Sequence, residues 1–192
     1  DVTEAYLNAI EAHEATDTIY VRVMADSART EAAEAAARAK AGLRRGPLDG
    51  VPISWKDLYD TAGVGTEAGT AMLAGRVPTK DATVFARGKR AGVVSLGKTH
   101  MTELAFSGLG LNPVTKTPPN VNDPALVPGG SSSGAAASVA FGLAAAGIGS
   151  DTGGSVRIPS AWNNMVGLKT THGLLPADGV VLLIESFDTV GP

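Results

Sequence analysis

The spacing of apolar and polar positions predicts three elements in the first part of the chain. A first helix carries apolar and ring side chains at helical spacing, is capped by Thr3 and ends near His13. Alternation over residues 19–24 predicts a strand. Residues 27–41 are rich in Ala, Glu and Arg, and this composition predicts a helix that Gly42 terminates.

A β-α-β rhythm follows from residue 51 onward. The apolar run at residues 51–55 predicts a buried strand, and residues 82–91 predict a helix that stops at Gly92. Residues 93–96 then predict a second buried strand. Alternating strands and helices of this kind are typical of α/β folds.

The last third of the chain contains two glycine- and serine-rich clusters. Between them, residues 135–146 predict a helix of small side chains. After it we expect a strand at residues 148–150, the loop DTGGSVR, a turn starting at Pro159 and a strand near residues 165–168. The chain is therefore predicted to be one α/β domain, residues 1–192, with a mixed, mostly parallel central sheet flanked by helices on both faces. Active-site loops in such sheets lie at the carboxyl ends of the strands.

Composition and charge exclude several classes of function. The formal net charge is −3, so neither nucleic acid nor an anionic membrane is an expected partner on charge alone. The chain has no cysteine, which excludes disulfides, thiolate metal sites and cysteine nucleophiles. The small-apolar run at residues 135–149 is shorter than the roughly 18 residues that predict a membrane span. A cytoplasmic location is the default expectation, and the start of the chain shows no secretory signal.

Common motifs do not explain the two glycine–serine clusters. GGSSSG alone is typical of a flexible linker, or of a loop that holds phosphate, but neither GxxxxGK[ST] nor GxGxxG occurs within the two clusters. His13, His100 and His172 have no motif context for a serine–histidine pair, and no HxxxH or carboxylate cluster predicts a metal or a cofactor. A buried lysine is another base, because burial disfavours the ammonium and lowers its pKa. Lys56 ends the predicted strand at residues 51–55 and is the candidate, although a lysine chosen blindly is most often an ordinary surface residue.

Four segments together resemble the amidase signature family. They are GVPISWKD around Lys56, PGGSSSGAAASVAFG around Ser131, GSDTGGSVRIPSAWNNMVGLKTTHG around Ser155, and SFDTVGP at the end. The resemblance covers the chain from Pro47 onward. It implies that Ser155 is the nucleophile, Ser131 a bridging serine that follows a cis peptide bond, and Lys56 the base of a Ser-cisSer-Lys triad.

The same resemblance assigns supporting roles around the triad. It implies that the backbone N–H groups of Thr152, Gly153, Gly154 and Ser155 form an oxyanion hole. Gly129 and Gly130 permit the crowded backbone beside Ser131. Ser132, Asp151 and Arg157 are expected to brace the loops, and each could equally be a plain loop residue; Arg157 could instead bind a substrate carboxylate.

This sequence departs from the family pattern in three respects. Ser133 stands in the usual second glycine pair, and Thr170 replaces a common proline. Family members also continue beyond the final glycine–proline element. We therefore expect this chain to be the N-terminal part of the fold, truncated on its C-terminal side, with a helical region at residues 1–46 and a signature core at residues 47–192.

The expected function is an amidohydrolase that cleaves a carboxamide C–N bond through a serine acyl-enzyme. One alternative is an A-type subunit of a glutamine-dependent amidotransferase, which releases ammonia and needs partner subunits and tRNA. The other is a non-catalytic fragment that binds a small molecule. The expected partner is a small-molecule amide, with a homodimer as a further expectation and no cofactor or metal.

Overall fold

A five-stranded sheet forms the centre of the computed structural model, which describes residues 2–192. The strands are β1 (Tyr20–Val23), β2 (Pro52–Lys56), β3 (Val94–Thr99), β4 (Ala146–Asp151) and β5 (Thr189–Gly191), in the order β1-β3-β2-β4-β5. Strands β3, β2 and β4 run parallel, and the edge strands β1 and β5 pair antiparallel with β3 and β4. The predicted α/β class, with a mixed sheet whose core is parallel, is confirmed.

Six helices accompany the sheet. They are α1 (Val2–Ala12), α2 (Thr16–Ile19), α3 (Ala25–Lys40), α4 (Thr83–Ala91), α5 (Ser133–Ala140) and α6 (Arg157–Trp162). Single turns of 3-10 helix lie at Ala71–Leu73 and Glu103–Ala105. Thr3 lies inside the first turn of α1, so its predicted role as the cap is wrong.

The helices cover both faces of the sheet, as β2 shows. Trp55 packs with Phe85 of α4 at a ring-centroid distance of 4.8 Å. The neighbouring Ser54 points to the opposite face, since successive side chains of a strand alternate, and its hydroxyl lies 2.8 Å from that of Ser138 in α5. Lys56 shares the face of Ser54 and so points toward the chain that leads into α5.

Two predictions around the second glycine–serine cluster are wrong. The small-residue helix ends at Ala140 instead of continuing to residue 146, because Gly142 takes a left-handed φ of 71° and Ala146 already belongs to β4. The predicted turn at Pro159 is helical, since Pro159 lies in the first turn of α6. A proline is tolerated there because the carbonyl oxygen four residues earlier, that of Ser155, accepts a hydrogen bond from Ser132 N at 3.2 Å instead.

The predicted strand at residues 165–168 does not form either. That segment has no regular secondary structure, and Leu168 N donates a hydrogen bond to Pro192 O at 2.9 Å. The edge of the sheet is instead β5, which pairs with β4 and which the sequence pattern did not predict. A three-residue strand is too short to show the alternation on which a sequence prediction rests.

Candidate active site

The ends of two parallel strands bring the predicted site residues to one edge of the sheet. Lys56 is the last residue of β2, and Asp151 is the last residue of β4. Because β2 and β4 are parallel neighbours, their carboxyl ends lie side by side. Ser131 precedes α5 and Ser155 precedes α6, so the loops into both helices start from this edge.

Lys56 is fully buried, with 0% of its surface exposed. Its Nζ donates hydrogen bonds to Ser131 Oγ at 2.7 Å and to Ser150 Oγ at 2.8 Å. Burial lowers the pKa of Lys56 to about 7, although the negative charges of Asp188 and Asp151 act to raise it. The lysine is therefore a group that can exchange a proton with a hydroxyl near neutral pH.

Ser131 is held by a loop that has no room for side chains at its glycines. The Gly130–Ser131 peptide bond is cis. A Cβ on Gly130 would lie 2.7 Å from the backbone of Gly110, and Gly129 has a left-handed φ of 78° that favours glycine. The Ser131 carbonyl oxygen also accepts a hydrogen bond from Thr102 N at 3.1 Å.

Ser132 connects the loop of Ser131 with the loop of Ser155. Its backbone N–H donates to Ser155 O at 3.2 Å, and its hydroxyl donates to Ser150 O at 3.1 Å. Ser150 N donates back to the Ser132 hydroxyl at 3.3 Å. These bonds place the residue after Ser131 directly beside Ser155.

The hydroxyl of Ser155 is not tied to any other group of the site. Ser155 is 8% exposed, and its hydroxyl makes no hydrogen bond within residues 2–192. The structure thus joins Lys56 to Ser131 directly and sets the Ser155 loop alongside, while the bond between the two serine hydroxyls is not formed.

The segment before Ser155 presents backbone donors that lack acceptors. Across residues 2–192, no oxygen accepts a hydrogen bond from the N–H groups of Thr152, Gly153, Gly154 or Ser155. Gly154 has a φ of 140°, a conformation that side-chain-bearing residues rarely adopt. Four consecutive free donors next to a serine can bind a negatively charged oxygen.

The buried Asp151 and the half-exposed Arg157 form an ion pair beside this segment. Asp151 Oδ2 accepts from Val156 N at 3.0 Å and from Arg157 Nε at 3.0 Å, and Oδ1 accepts from Arg157 Nη2 at 2.9 Å. Burial acts to raise the pKa of Asp151, but the Arg157 guanidinium and two backbone N–H groups outweigh it and hold the pKa below its usual value. Two of the three guanidinium nitrogens of Arg157 thereby donate to Asp151.

Sequence reasoning missed two residues of this site. Ser150 contributes the second hydroxyl on Lys56 Nζ, and Asp188 accepts a hydrogen bond from the Thr152 hydroxyl. The position of Ser150 near the site could have been found from the pattern, since it is the penultimate residue of β4, but the direction of its side chain could not. Asp188 reaches the site only through the unpredicted pairing of β5 with β4.

The histidines lie apart from the serines. The His13 ring packs on Phe141 at 4.9 Å, and His172 Nε2 contacts Glu185 O at 3.1 Å. His100 is buried, which lowers its pKa to about 4. No histidine ring in residues 2–192 hydrogen-bonds a serine.

Metal-binding clusters and membrane-spanning helices are both lacking in the part of the chain that the structure describes. It contains no group of three or more histidine and carboxylate side chains placed to hold a metal ion. None of its helices has the length and apolar character needed to cross a membrane.

The fold and the site define a class of α/β proteins with two serine loops and a buried lysine at one sheet edge. The Amidase family matches the sequence over residues 1–192, and the chain belongs to this family. The predicted resemblance to amidase signature proteins is confirmed.

Similar proteins include amidases and one component of an amidotransferase. The chain is 45% identical over 192 residues to the A-type subunit of glutamyl-tRNA(Gln) amidotransferase from Anaeromyxobacter dehalogenans (strain 2CP-C), covering 100% of this chain and 39% of that protein. It is 37% identical to the peptide amidase of Stenotrophomonas maltophilia, with a TM-score of 0.90 over 98% of this chain and 40% of that one. A protein complex described in connection with the origins of an s-triazine catabolic enzyme aligns with a TM-score of 0.94 at 34% identity, over 99% of this chain and 42% of that one. The chain thus spans about two fifths of the length of these relatives.

Proposed function

We propose that this chain carries the nucleophile and the base of an enzyme that cleaves a carboxamide C–N bond. The observation that carries the proposal is the buried contact of 2.7 Å between Lys56 Nζ and Ser131 Oγ, at a lysine whose pKa is about 7. A buried lysine that is partly neutral at pH 7 serves as a base, whereas a surface lysine does not.

The proposed reaction moves one proton along three residues. Ser155 rotates its hydroxyl toward Ser131 and attacks the amide carbonyl carbon. The Ser155 proton passes to Ser131 Oγ, and the Ser131 proton passes to the neutral amine of Lys56. The C–N bond then breaks, the proton returns along the same route to the leaving nitrogen, and Ser155 keeps the acyl group. Water activated by the same relay hydrolyses the ester.

The free backbone donors at residues 152–155 fit the other requirement of this chemistry. Attack on the carbonyl places negative charge on its oxygen, and fixed N–H groups stabilise that charge without having to reorient. Loss of one such donor typically costs about 3 kcal/mol of transition-state stabilisation. The ion pair of Asp151 with Arg157 supports a bracing role for Arg157 in this segment.

A fluorophosphonate probe tests the proposal directly. We expect the probe to form an adduct on Ser155, and we expect labelling to disappear in Lys56→Ala and in Ser131→Ala. Matched controls are Lys80→Ala, an exposed lysine, and Ser133→Ala, whose buried hydroxyl makes no hydrogen bond; both should label at the wild-type rate. Absence of any adduct, together with retained binding of small amides, would favour the non-catalytic binding fragment.

A second candidate function is supported by the identity of 45% to the A-type subunit of a glutamyl-tRNA(Gln) amidotransferase. In that case Ser155 would attack the side-chain amide of glutamine, and the released ammonia would be passed to tRNA-bound glutamate with the help of partner subunits. Ammonia release can be measured from glutamine and from a panel of aliphatic and aromatic amides. Release from glutamine only when partner subunits and tRNA are added supports the amidotransferase, and release from simple amides by the protein alone supports the free amidase.

A further inference from the structure

Asp188 lies directly before β5, and its carboxylate contacts the segment that precedes Ser155. The residue is 8% exposed. Oδ1 accepts a hydrogen bond from the hydroxyl of Thr152, and Oδ2 accepts from Leu183 N at 2.7 Å. Both carboxylate oxygens are therefore fixed, one of them by the segment that precedes Ser155.

Asp188 differs from the other buried aspartates of the described chain in having no cation beside it. Asp49 is paired with Arg38 at 2.6 Å, Asp57 with Lys98 at 3.3 Å, and Asp151 with Arg157 at 2.9 Å. No ion pair within 4.0 Å in residues 2–192 includes Asp188. Because a buried carboxylate without a partner cation is costly to the fold, such a group invites a functional explanation.

We propose that Asp188 is a positioning residue of the proposed amidase: it fixes Thr152 in the oxyanion segment and stabilises the ammonium of Lys56 once that lysine has taken up the nucleophile's proton. This inference rests on the proposed function. It adds to it a residue that touches neither the substrate nor the reacting atoms.

Of the two carboxylates whose charges act on Lys56, only Asp188 has no cation of its own beside it. Ser150 contacts the lysine from β4, and Ser131 contacts it from the loop before α5. Asp151, the next residue of β4, acts on the lysine through its charge, and Tyr59 lies in the turn after β2 with its hydroxyl on Gly149 O. Burial raises the pKa of Tyr59, so its phenol is neutral, and the charge of Asp151 is matched by Arg157. Asp188 and Asp151 both raise the pKa of Lys56 against the effect of burial.

The proposed proton transfer explains why this charge is useful. The proton leaves Ser155, passes through Ser131 and converts the Lys56 amine into an ammonium in a site that excludes water. A fixed negative charge lowers the free energy of that ammonium, which otherwise lacks solvation. Asp188 thereby stabilises the charge-separated state more than the starting state, in which the lysine is neutral.

The central variant is Asp188→Asn, which can still accept from Thr152 but carries no charge. Thr152→Val makes the opposite change, since it removes the hydroxyl and keeps the carboxylate. Glu185→Gln is the matched control, because it removes a negative charge from an exposed position three residues away. Asp188→Ser, which leaves room for a water, is a second charge-free variant should the asparagine impair folding.

Two measurements are made on each variant. The first is the pKa of Lys56, followed by NMR on protein with ¹³C-labelled lysine side chains and assigned with Lys56→Met. The second is the acid limb of kcat/KM against pH for amide hydrolysis. Asp188→Asn and Asp188→Ser should move both to lower pH by on the order of one pH unit and reduce the rate above pH 8. Thr152→Val should reduce the rate without moving either titration, and Glu185→Gln should change nothing.

The two readouts separate failure of this inference from failure of the proposed function. An unchanged Lys56 pKa in the charge-free variants overturns the inference, and so does an equal shift in Thr152→Val. A shift in the NMR titration of a protein that hydrolyses no amide supports the charge coupling and rejects the proposed function alone.

Discussion

Replacing Lys56 with methionine should change how the stability of the protein depends on pH. Methionine keeps most of the length and the apolar stem of the side chain but cannot be protonated. Burial lowers the pKa of Lys56 from 10.5 to about 7 in the folded state. The unfolded chain therefore binds more protons than the folded one between these two values, and stability rises with pH across that window.

The magnitude follows from the two pKa values. Each tenfold change in proton affinity corresponds to about 1.4 kcal/mol, so below pH 7 the folded wild type carries a penalty of about 5 kcal/mol for holding the ammonium. Part of this penalty is relieved as the pH rises. Between pH 6 and pH 9 the wild type should gain about 3 kcal/mol relative to Lys56→Met. Other titrating groups, including His100, are common to both proteins and cancel in the difference.

The measurement is urea denaturation of both proteins at half-unit steps from pH 6 to pH 9. The free energy of unfolding of Lys56→Met is subtracted from that of the wild type at each pH. Lys80→Met serves as the control, because it removes an exposed lysine and should give a flat difference. A flat difference for Lys56→Met as well would mean that the native lysine is charged at neutral pH. The proposed proton relay would then have no base, whatever the distance between Lys56 and Ser131.

Three further predictions concern residues outside the site and the stability of the fold. Lys98→Ala should lower the free energy of unfolding by about 3 kcal/mol in urea denaturation, because it removes the buried cation 3.3 Å from Asp57 and leaves only the partly exposed Arg22 at 3.7 Å. His100 has a folded pKa of about 4, below its unfolded value of 6.5, so the wild type should lose about 3 kcal/mol as the pH falls from 6.5 to 4; His100→Gln should not show this loss. Gly92→Ala should lower the thermal midpoint, with a cost of roughly 1–3 kcal/mol, because its φ is 90° and the new Cβ would lie 2.1 Å from Asp49 Oδ1.

The parts of the fold that the sequence predicts well are those with a long local pattern. Helix α4 begins and ends within a residue of the prediction, because its apolar spacing is regular and Gly92 ends it with a left-handed φ. The strand around Ile53 and the strand around Leu96 were recognisable as buried apolar runs between turn residues. Local pattern failed at residues 135–146, where alanine and glycine are compatible with helix and strand alike, and only pairing with β2 decides that Ala146 is in a strand.

In the site, too, residues with a local motif could be predicted, and residues placed by distant parts of the chain could not. Motif resemblance named Lys56, Ser131 and Ser155, and strand-end reasoning placed Lys56 at the correct edge. Neither approach could locate Asp188, because its contact with Thr152 depends on a segment that is distant in sequence. The role of Ser150 depends on which of two adjacent side chains at the end of β4 turns toward Lys56, and the strand's twist and register determine this.

The hydroxyls of Ser131 and Ser150, which both bind Lys56 Nζ, explain how the proposed base can become neutral without movement of heavy atoms. An ammonium has only donors, so it must donate to both Ser131 and Ser150, at 2.7 and 2.8 Å. A neutral amine has a lone pair as well, so it can continue to donate to Ser150 while accepting from Ser131. Loss of one proton therefore reverses the direction of a single hydrogen bond, and the reversed bond points the Ser131 proton at Lys56, as the relay requires. Since the pKa of Lys56 is about 7, this reversal is available at neutral pH, and Ser150 is the acceptor that keeps the amine oriented while it occurs.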